Sequence, residues 1–212
     1  MTGRTWITLF ACICTMTAGL AGQVTRPGSW RVVPDRPGGD STIFYVAMPP
    51  GWHVSTGPGS LFFDPAFHAE GRFGLEAEVY VFPGRSEEGY GLFLGGRDLG
   101  SGHSSWSALL LSRNGTAAVV RIEGTTLTML CPWRRLEGLL APGDGQHPVK
   151  NVLRVSAEDG EVDFQVNGVS LGKLPRPSVM PDGDFGLRVG EGLNLHVARL
   201  DLVRPLAPAA QN

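Results

Sequence analysis

Residues 149–172, VKNVLRVSAEDGEVDFQVNGVSLG, decide the fold class. Apolar residues such as Leu153 and Phe164 alternate with polar ones through most of this stretch. A period of two places each apolar set on one face of a strand. Asp159-Gly160 and Asn167-Gly168 supply the positive φ angles that two-residue hairpin turns require. The stretch therefore predicts a three-stranded antiparallel meander, whose apolar face needs a second layer to cover it.

Further short strands are predicted along the rest of the chain, separated by Gly, Pro and Asn turns. They are residues 42–47, 52–55, 61–63, 73–82, 90–95, 105–112, 117–123, 125–130, 184–189 and 194–203. No stretch has a long 3.6-residue period, and no fixed repeat indicates a propeller or solenoid. About a dozen short strands predict an all-β sandwich of two antiparallel sheets.

The length of 212 residues suits one domain with extensions. Residues 1–21 are typical of a signal peptide, because Arg4 precedes an apolar run that ends in small residues. The run is too short to favour a membrane span, although an amino-terminal anchor stays an alternative. We expect a Gly/Pro-rich linker at 22–41, the sandwich at 42–205 and a tail at 206–212. The expected location is secreted or periplasmic, with no membrane span after cleavage.

The charge and the cysteines exclude several classes of function. The net charge is −2 and no basic cluster is present, which disfavours a nucleic-acid partner. Cys131 alone remains after signal cleavage, so no intramolecular disulfide is expected. The histidines lack the spacing of a zinc site. Asp182-Gly183-Asp184 is similar to a fragment of a calcium loop, but calcium needs six or more oxygen ligands, so a simple turn without a cofactor is favoured.

Several motifs carry a resemblance to a known superfamily. They include Gly51-Trp52, the long strand from Phe73, Tyr90-Gly-Leu-Phe-Leu-Gly and the meander that ends at Asn167-Gly168. The chain resembles the concanavalin A-like lectin/glucanase superfamily over residues 43–203, and within it laminin-G-like modules and 3-keto-disaccharide hydrolase-like domains. The resemblance implies a jelly-roll of two curved antiparallel sheets, often with a concave surface that faces a glycan. Some members of the superfamily bind calcium.

Glu76 and Glu78 are the candidates for catalysis. Two residues apart on one strand, they share a face with Cα atoms ~6.6 Å apart. Glycosidases use such paired carboxylates. The glucanases of the superfamily, however, carry Glu-x-Asp-x-x-Glu on one strand, and here Val81 stands at the position of the last carboxylate. The departure favours a solvated sheet face, and binding over hydrolysis.

The candidate ligand-binding residues are polar or aromatic side chains expected on strand faces and in the Gly-rich loop 96–104. They are Glu76, Glu78, Tyr80, Arg97, Asp98, Arg121, Trp133, Arg188 and His196. Aromatic rings suit sugar stacking, and convergent polar groups suit a concave site. Ordinary cross-strand pairing of acids and arginines is the alternative, and the favoured one. Trp52 and Trp106 are expected in the core.

The leading functional hypothesis is a secreted, non-catalytic β-sandwich that binds a carbohydrate or another cell-surface ligand. One alternative is a glycoside hydrolase of the 3-keto-disaccharide hydrolase type that uses Glu76 and Glu78. A second alternative is a purely structural module. If the expected strand faces line one surface, Glu76, Glu78, Arg121 and Arg188 lie together on it.

Overall fold

The computed structural model describes residues 28–142 and 146–204, and within these ranges the regular secondary structure is almost entirely β-strand. The described residues contain fourteen strands and one four-residue α-helix, α1 (Arg176–Val179). The strands are β1 (Arg31–Pro34), β2 (Phe44–Ala47), β3 (Trp52–Ser55), β4 (Ser60–Ala69), β5 (Phe73–Val81), β6 (Tyr90–Arg97), β7 (Ser105–Leu111), β8 (Thr116–Glu123), β9 (Thr126–Arg135), β10 (Val149–Ala157), β11 (Glu161–Val166), β12 (Val169–Pro175), β13 (Gly183–Val189) and β14 (Asn194–Val203).

The strands form two antiparallel seven-stranded sheets. Sheet A has the order β1-β4-β13-β6-β7-β8-β9, and sheet B has the order β12-β11-β10-β5-β14-β3-β2. The predicted meander is β10-β11-β12, in which Leu153 lies opposite Val166 and Val155 opposite Phe164. Asn167 and Gly168 have the predicted positive φ angles, whereas Asp159 and Gly160 do not, so the first turn of the meander forms without them. The predicted all-β jelly-roll sandwich is therefore confirmed. None of the helices in the described ranges is both long enough and apolar enough to span a bilayer.

The main core lies between the inner faces of the two sheets. Sheet B contributes residues such as Leu75, Leu153 and Phe164, and sheet A contributes Leu92 and Leu187. These side chains are almost completely removed from solvent. Period-two alternation explains the arrangement, because every second residue of β5, β10 and β11 is buried while its neighbours remain partly exposed.

Sheet A carries a second apolar layer on its outer face. The layer contains Leu61, Phe63, Phe93, Leu110 and Val120, all at least nine-tenths buried. It explains why seven of the eight residues of β6 are buried, since this strand is covered on both sides. The outer face of sheet A is therefore apolar, unlike the solvated face that an antiparallel sandwich usually presents.

Sheet B has the expected polar outer face. Glu76 forms ion pairs with Arg154 of β10 and Arg199 of β14, and Glu78 lies 3.5 Å from the Lys150 ammonium. Such pairs between neighbouring strands are the alternative that the sequence favours for these polar residues.

Three boundaries differ from the sequence-based expectation. Residues 31–34, placed in the linker 22–41, form β1 and pair with β4, because Val32 and Val33 pack against the inner core and the outer layer respectively. Strand β4 continues well past the predicted 61–63 to Ala69, and β9 continues past the predicted 125–130 to Arg135. The predicted signal peptide, 1–21, and tail, 206–212, lie outside the described residues.

Candidate functional site

A groove of about 890 Å³ crosses the outer face of sheet A, and we call it the sheet A groove. One side is formed by β1, the loop after it, and outward-facing residues of β4 and β13. The other side is formed by β7, β8 and β9. The loop around Ser101 and Ser104 lies at the groove's rim, as do Glu88 and Gly89. Its volume is in the range of pockets that hold small organic ligands.

An arginine–carboxylate pair lies on the first side of the groove. Arg188 donates from Nη1 to Asp35 Oδ1 at 2.7 Å and from Nη2 to Asp35 Oδ2 at 2.6 Å. The Arg188 side chain is mostly buried, whereas about half of the Asp35 side chain is exposed. The Arg188 guanidinium also lies 5.9 Å from the centre of the Trp106 ring. A two-point ion pair held in this way fixes the direction of the remaining donors and acceptors.

Local sequence places this pair. Alternation along β13 turns Leu187 and Val189 into the core and Arg188 outwards. The Asp35 amide donates to the Gly59 carbonyl at 2.8 Å, which holds the loop beside β4. Gly59 leaves room for both partners, because a Cβ atom there would lie 2.4 Å from Asp35 Oδ2 and 2.7 Å from Arg188 Nη2.

The second side of the groove is apolar. Leu110 and Val120 are buried there, and Leu127, Met129 and Trp133 stand on the edge strand β9 with 57%, 37% and 42% of their surface exposed. The edge strand β2 of sheet B also exposes Phe44 and Val46, so exposure alone does not mark a site; the apolar side chains of β9 differ because they line a groove that also contains a charged pair.

Known structures of similar shape are sandwiches of the same kind. A carbohydrate binding module, CBM66 from Bacillus subtilis, superposes with a TM-score of 0.61 at 12% identity, covering 83% of this chain and 96% of the module. A Bacteroides ovatus mixed-linkage glucan GH16 enzyme in complex with a G4G4G3G product gives 0.58 at 9% identity, covering 82% and 94%. A Bacillus subtilis protein of unknown function with a galectin-like fold gives 0.54 at 16% identity, covering 82% and 88%. The fold is the concanavalin A-like jelly-roll. No protein-family model and no curated protein sequence matches this chain.

Four of the predicted site residues cluster on the opposite face of this concanavalin A-like sandwich. Glu76, Glu78, Tyr80 and His196 are all on sheet B. Tyr80 donates its hydroxyl to Glu78 Oε1 at 3.0 Å, and its ring centre lies 5.7 Å from that of His196. Burial of the imidazole, followed by the nearby His53, lowers the pKa of His196 below its usual range. The two glutamates are held by basic partners or hydroxyls and do not line the groove.

Arg121 occupies a third environment. It lies on β8, where its Nη1 donates to the Val179 carbonyl at 3.0 Å and its Nη2 donates to Glu123 Oε1 at 2.8 Å. The hydrogen bond from Arg121 lowers the pKa of the exposed Glu123 carboxyl. The expectation that Glu76, Glu78, Arg121 and Arg188 share one surface is wrong. Strand β5 belongs to sheet B, whereas β8 and β13 belong to sheet A, and Arg121 is bound to the end of α1.

Arg97 is the last residue of β6, and Asp98 begins the loop that follows it. Arg97 Nη2 donates to the Asp182 carbonyl at 3.2 Å, and the Asp98 carbonyl accepts from the Ser101 amide and the Ser104 hydroxyl. The hydrogen bonds described for both residues therefore stabilise the loops of this region. Of the candidate ligand-binding residues, only Trp133 and Arg188 line the groove.

Sequence reasoning missed other residues of the groove. Asp35 is one of two acids in the Gly/Pro-rich segment 22–41, and no sequence signal places it beside β13. Trp106 was expected in the core, yet it lines the groove while packing on the outer apolar layer. Leu127 and Met129 did carry a signal, because they alternate with threonines along β9.

The acidic turn at 182–184 is occupied by protein contacts. Asp182 Oδ1 accepts from Arg176 at 2.6 Å and from the Gly71 amide at 2.9 Å, and Asp184 lies 3.2 Å from the His68 imidazole. The hydrogen bond to Asp184, aided by Glu70, raises the pKa of His68. Among the described residues, no group of three or more His, Cys, Asp or Glu side chains is arranged to hold a metal ion.

Proposed function

We propose that the chain is an exported carbohydrate-binding module, and that its ligand lies in the sheet A groove against the Asp35–Arg188 pair. This pair is the observation that carries the proposal. The half-exposed Asp35 carboxylate has lone pairs left to accept, and the Arg188 guanidinium has N–H groups left to donate. Each hydroxyl of a sugar can both donate and accept a hydrogen bond, so neighbouring hydroxyls suit the adjacent Asp35 acceptor and Arg188 donor.

Trp106 supports the same ligand class. Its ring is partly exposed and lies beside the Arg188 guanidinium. An aromatic ring beside fixed polar groups offers an apolar platform for the C–H face of a sugar while its hydroxyls reach the charged pair. One structural neighbour is itself described as a carbohydrate binding module, which agrees with this choice.

Binding without turnover is part of the proposal. Glycosidases need two carboxyl groups at the scissile bond, one of which must hold a proton. The carboxylates that line the described groove are Asp35 and Glu88, and Asp35 is already committed to Arg188. Glu76 and Glu78 form ion pairs on the other sheet.

A glycan array followed by calorimetry on the bound glycan tests the proposal. Arg188→Gln removes the charged donors, so we expect affinity to fall about 10-fold or more, since hydrogen bonds to charged groups contribute about 1.5–3 kcal/mol. Arg154→Gln is the matched control, because it breaks an ion pair with Glu76 on the outer face of sheet B. Equal affinity of Arg188→Gln and wild type would exclude this site.

A parallel screen for glycoside hydrolysis separates binding from catalysis. We expect no turnover by the wild type on glycosides of the bound sugar. Turnover that Glu78→Gln abolishes would support the hydrolase alternative and contradict ours. Absence of both glycan binding and turnover would favour a structural module.

A further inference from the structure

The sheet A groove has two chemically different halves. The polar half contains Asp35 and Arg188, contributed by the loop after β1 and by β13. The apolar half contains Leu127, Met129 and Trp133 of β9. Trp106 lies between them, near Arg188 and on β7, the second strand from β9 in the sheet. A ligand that fills the groove therefore meets hydrogen-bonding groups on one side and hydrocarbon on the other.

The aliphatic part of the apolar half, formed by Leu127 and Met129, does not suit a second sugar ring. Aliphatic side chains cannot replace the water that a sugar's hydroxyls lose on burial, and an unpaired hydroxyl is costly to bury. Leu127 and Met129 stand beside the buried Val120 and the partly buried Ile122, and these four form a continuous aliphatic surface. Such a surface is stabilised by covering it with hydrocarbon.

The apolar half is also elongated. Leu127 and Trp133 lie on one strand, six positions apart, which corresponds to roughly 20 Å at about 3.3 Å per residue. The full groove of about 890 Å³ is continuous across both halves. An extended chain joined to a single sugar would fill it more completely than the sugar alone.

We propose that the ligand is an amphipathic glycoside, with its sugar at Asp35 and Arg188 and an alkyl or aryl aglycone along Leu127, Met129 and Trp133. This inference rests on the proposed function and specifies its ligand. The sugar hydroxyls bind the charged pair, and the aglycone covers the exposed side chains of β9. Affinity then depends on the aglycone as well as on the sugar.

The test measures affinity against chain length. Methyl, butyl, hexyl and octyl glycosides of glucose, galactose, mannose and fructose are titrated by calorimetry below their micelle-forming concentrations. For the sugar that binds, the Kd is expected to fall about four-fold for each methylene buried against the groove. In the Leu127→Thr/Met129→Thr double variant, the dependence on chain length is expected to be lost.

Phe44→Thr is the matched control, because Phe44 is 67% exposed on β2 at the edge of sheet B, away from the groove. It should keep the chain-length dependence of the wild type. Circular dichroism and a urea melt of each variant confirm that it folds. A loss of the dependence in Phe44→Thr would overturn the assignment to β9.

The remaining outcomes distinguish this inference from the proposed function. Equal Kd values for methyl and octyl glycosides would overturn the inference and leave the sugar site standing. Binding of octyl triethylene glycol as tight as that of every octyl glycoside would overturn both, as would failure of all glycosides to bind. A wild-type dimer in sedimentation that the double variant makes monomeric would show that a second copy covers β9, and the inference would be wrong.

Discussion

Gly59→Ala tests whether the charged pair of the groove is held in the position that binding requires. The added Cβ would lie 2.4 Å from Asp35 Oδ2 and 2.7 Å from Arg188 Nη2, both at the ends of side chains. To reach an ordinary contact of 3.4 Å, the Asp35 oxygen must move by about 1.0 Å. The backbone itself has no reason to move, because Gly59 does not have the positive φ that favours glycine.

The expected effect falls on affinity and not on stability. A displacement of about 1 Å takes a hydrogen bond out of its working range of roughly 2.7–3.2 Å. Hydrogen bonds to charged groups contribute about 1.5–3 kcal/mol, so loss of one weakens glycan binding by roughly 10- to 150-fold. The free energy of unfolding should change by no more than about 1 kcal/mol, since the added Cβ meets the ends of two side chains, the half-exposed Asp35 carboxylate and the Arg188 guanidinium, and not backbone.

Calorimetry on the bound glycan and urea denaturation measure the two quantities. Gly84→Ala is the control, because its Cβ would lie 2.2 Å from Arg113 Nη1 and would displace an arginine that does not line the groove. Gly84→Ala should bind the glycan like the wild type. Unchanged affinity in a folded Gly59→Ala protein would refute the assignment of Asp35 and Arg188 to the binding site.

Two further predictions concern stability. Phe164→Ala removes a fully buried ring and should lower the free energy of unfolding by about 3–5 kcal/mol in urea denaturation. Phe44→Ala, at a position that is 67% exposed, should lower it by less than about 0.5 kcal/mol, and similar losses in both variants would contradict the placement of the core. The pKa of His196 is lower in the folded protein than in the unfolded chain, so the unfolded chain binds a proton first as the pH falls below about 6.5. The free energy of unfolding therefore declines towards acid pH, and His196→Gln should reduce that decline. The raised pKa of His68 has the opposite effect, because it stabilises the fold below about pH 6.5 and this contribution is lost as the pH rises. His68→Gln should therefore enlarge the decline in stability at acid pH. The same pH dependence in both variants would refute the two pKa directions.

The fold class was accessible from sequence because strand alternation is a local signal. The period of two in β5, β10 and β11 reports which residues are buried, and the turns at Asp159-Gly160 and Asn167-Gly168 define a meander between neighbours in the chain. Strand β1 was missed because its two valines are adjacent, its last residue is a proline, and it lies in a Gly/Pro-rich segment, so it shows no alternation.

The site was less accessible because its residues meet through pairing between distant strands. Strand β5 lies between β10 and β14, and β13 lies between β4 and β6, so the sheet that each strand joins is set by non-local contacts. The alternation predicts that Glu76 and Arg188 face outward from their strands, and in the structure both do. Alternation does not predict that the two side chains point in opposite directions, because it indicates which face of a strand a residue occupies and not which sheet the strand belongs to.

The two outer faces differ in what a ligand would gain by contacting them. On sheet B, Glu76 and Glu78 already have basic partners, so a ligand there would exchange existing ion pairs for new ones with little net gain. On sheet A, exposed hydrocarbon adjoins one fixed ion pair, so a ligand there would gain from burial of apolar surface and would be oriented by the charged groups. The polar alternation of β5 therefore marks the face that is less favourable for ligand binding. The more informative signal was the exposed apolar alternation of β9, where Leu127 and Met129 would be unfavourable in water without a partner to cover them.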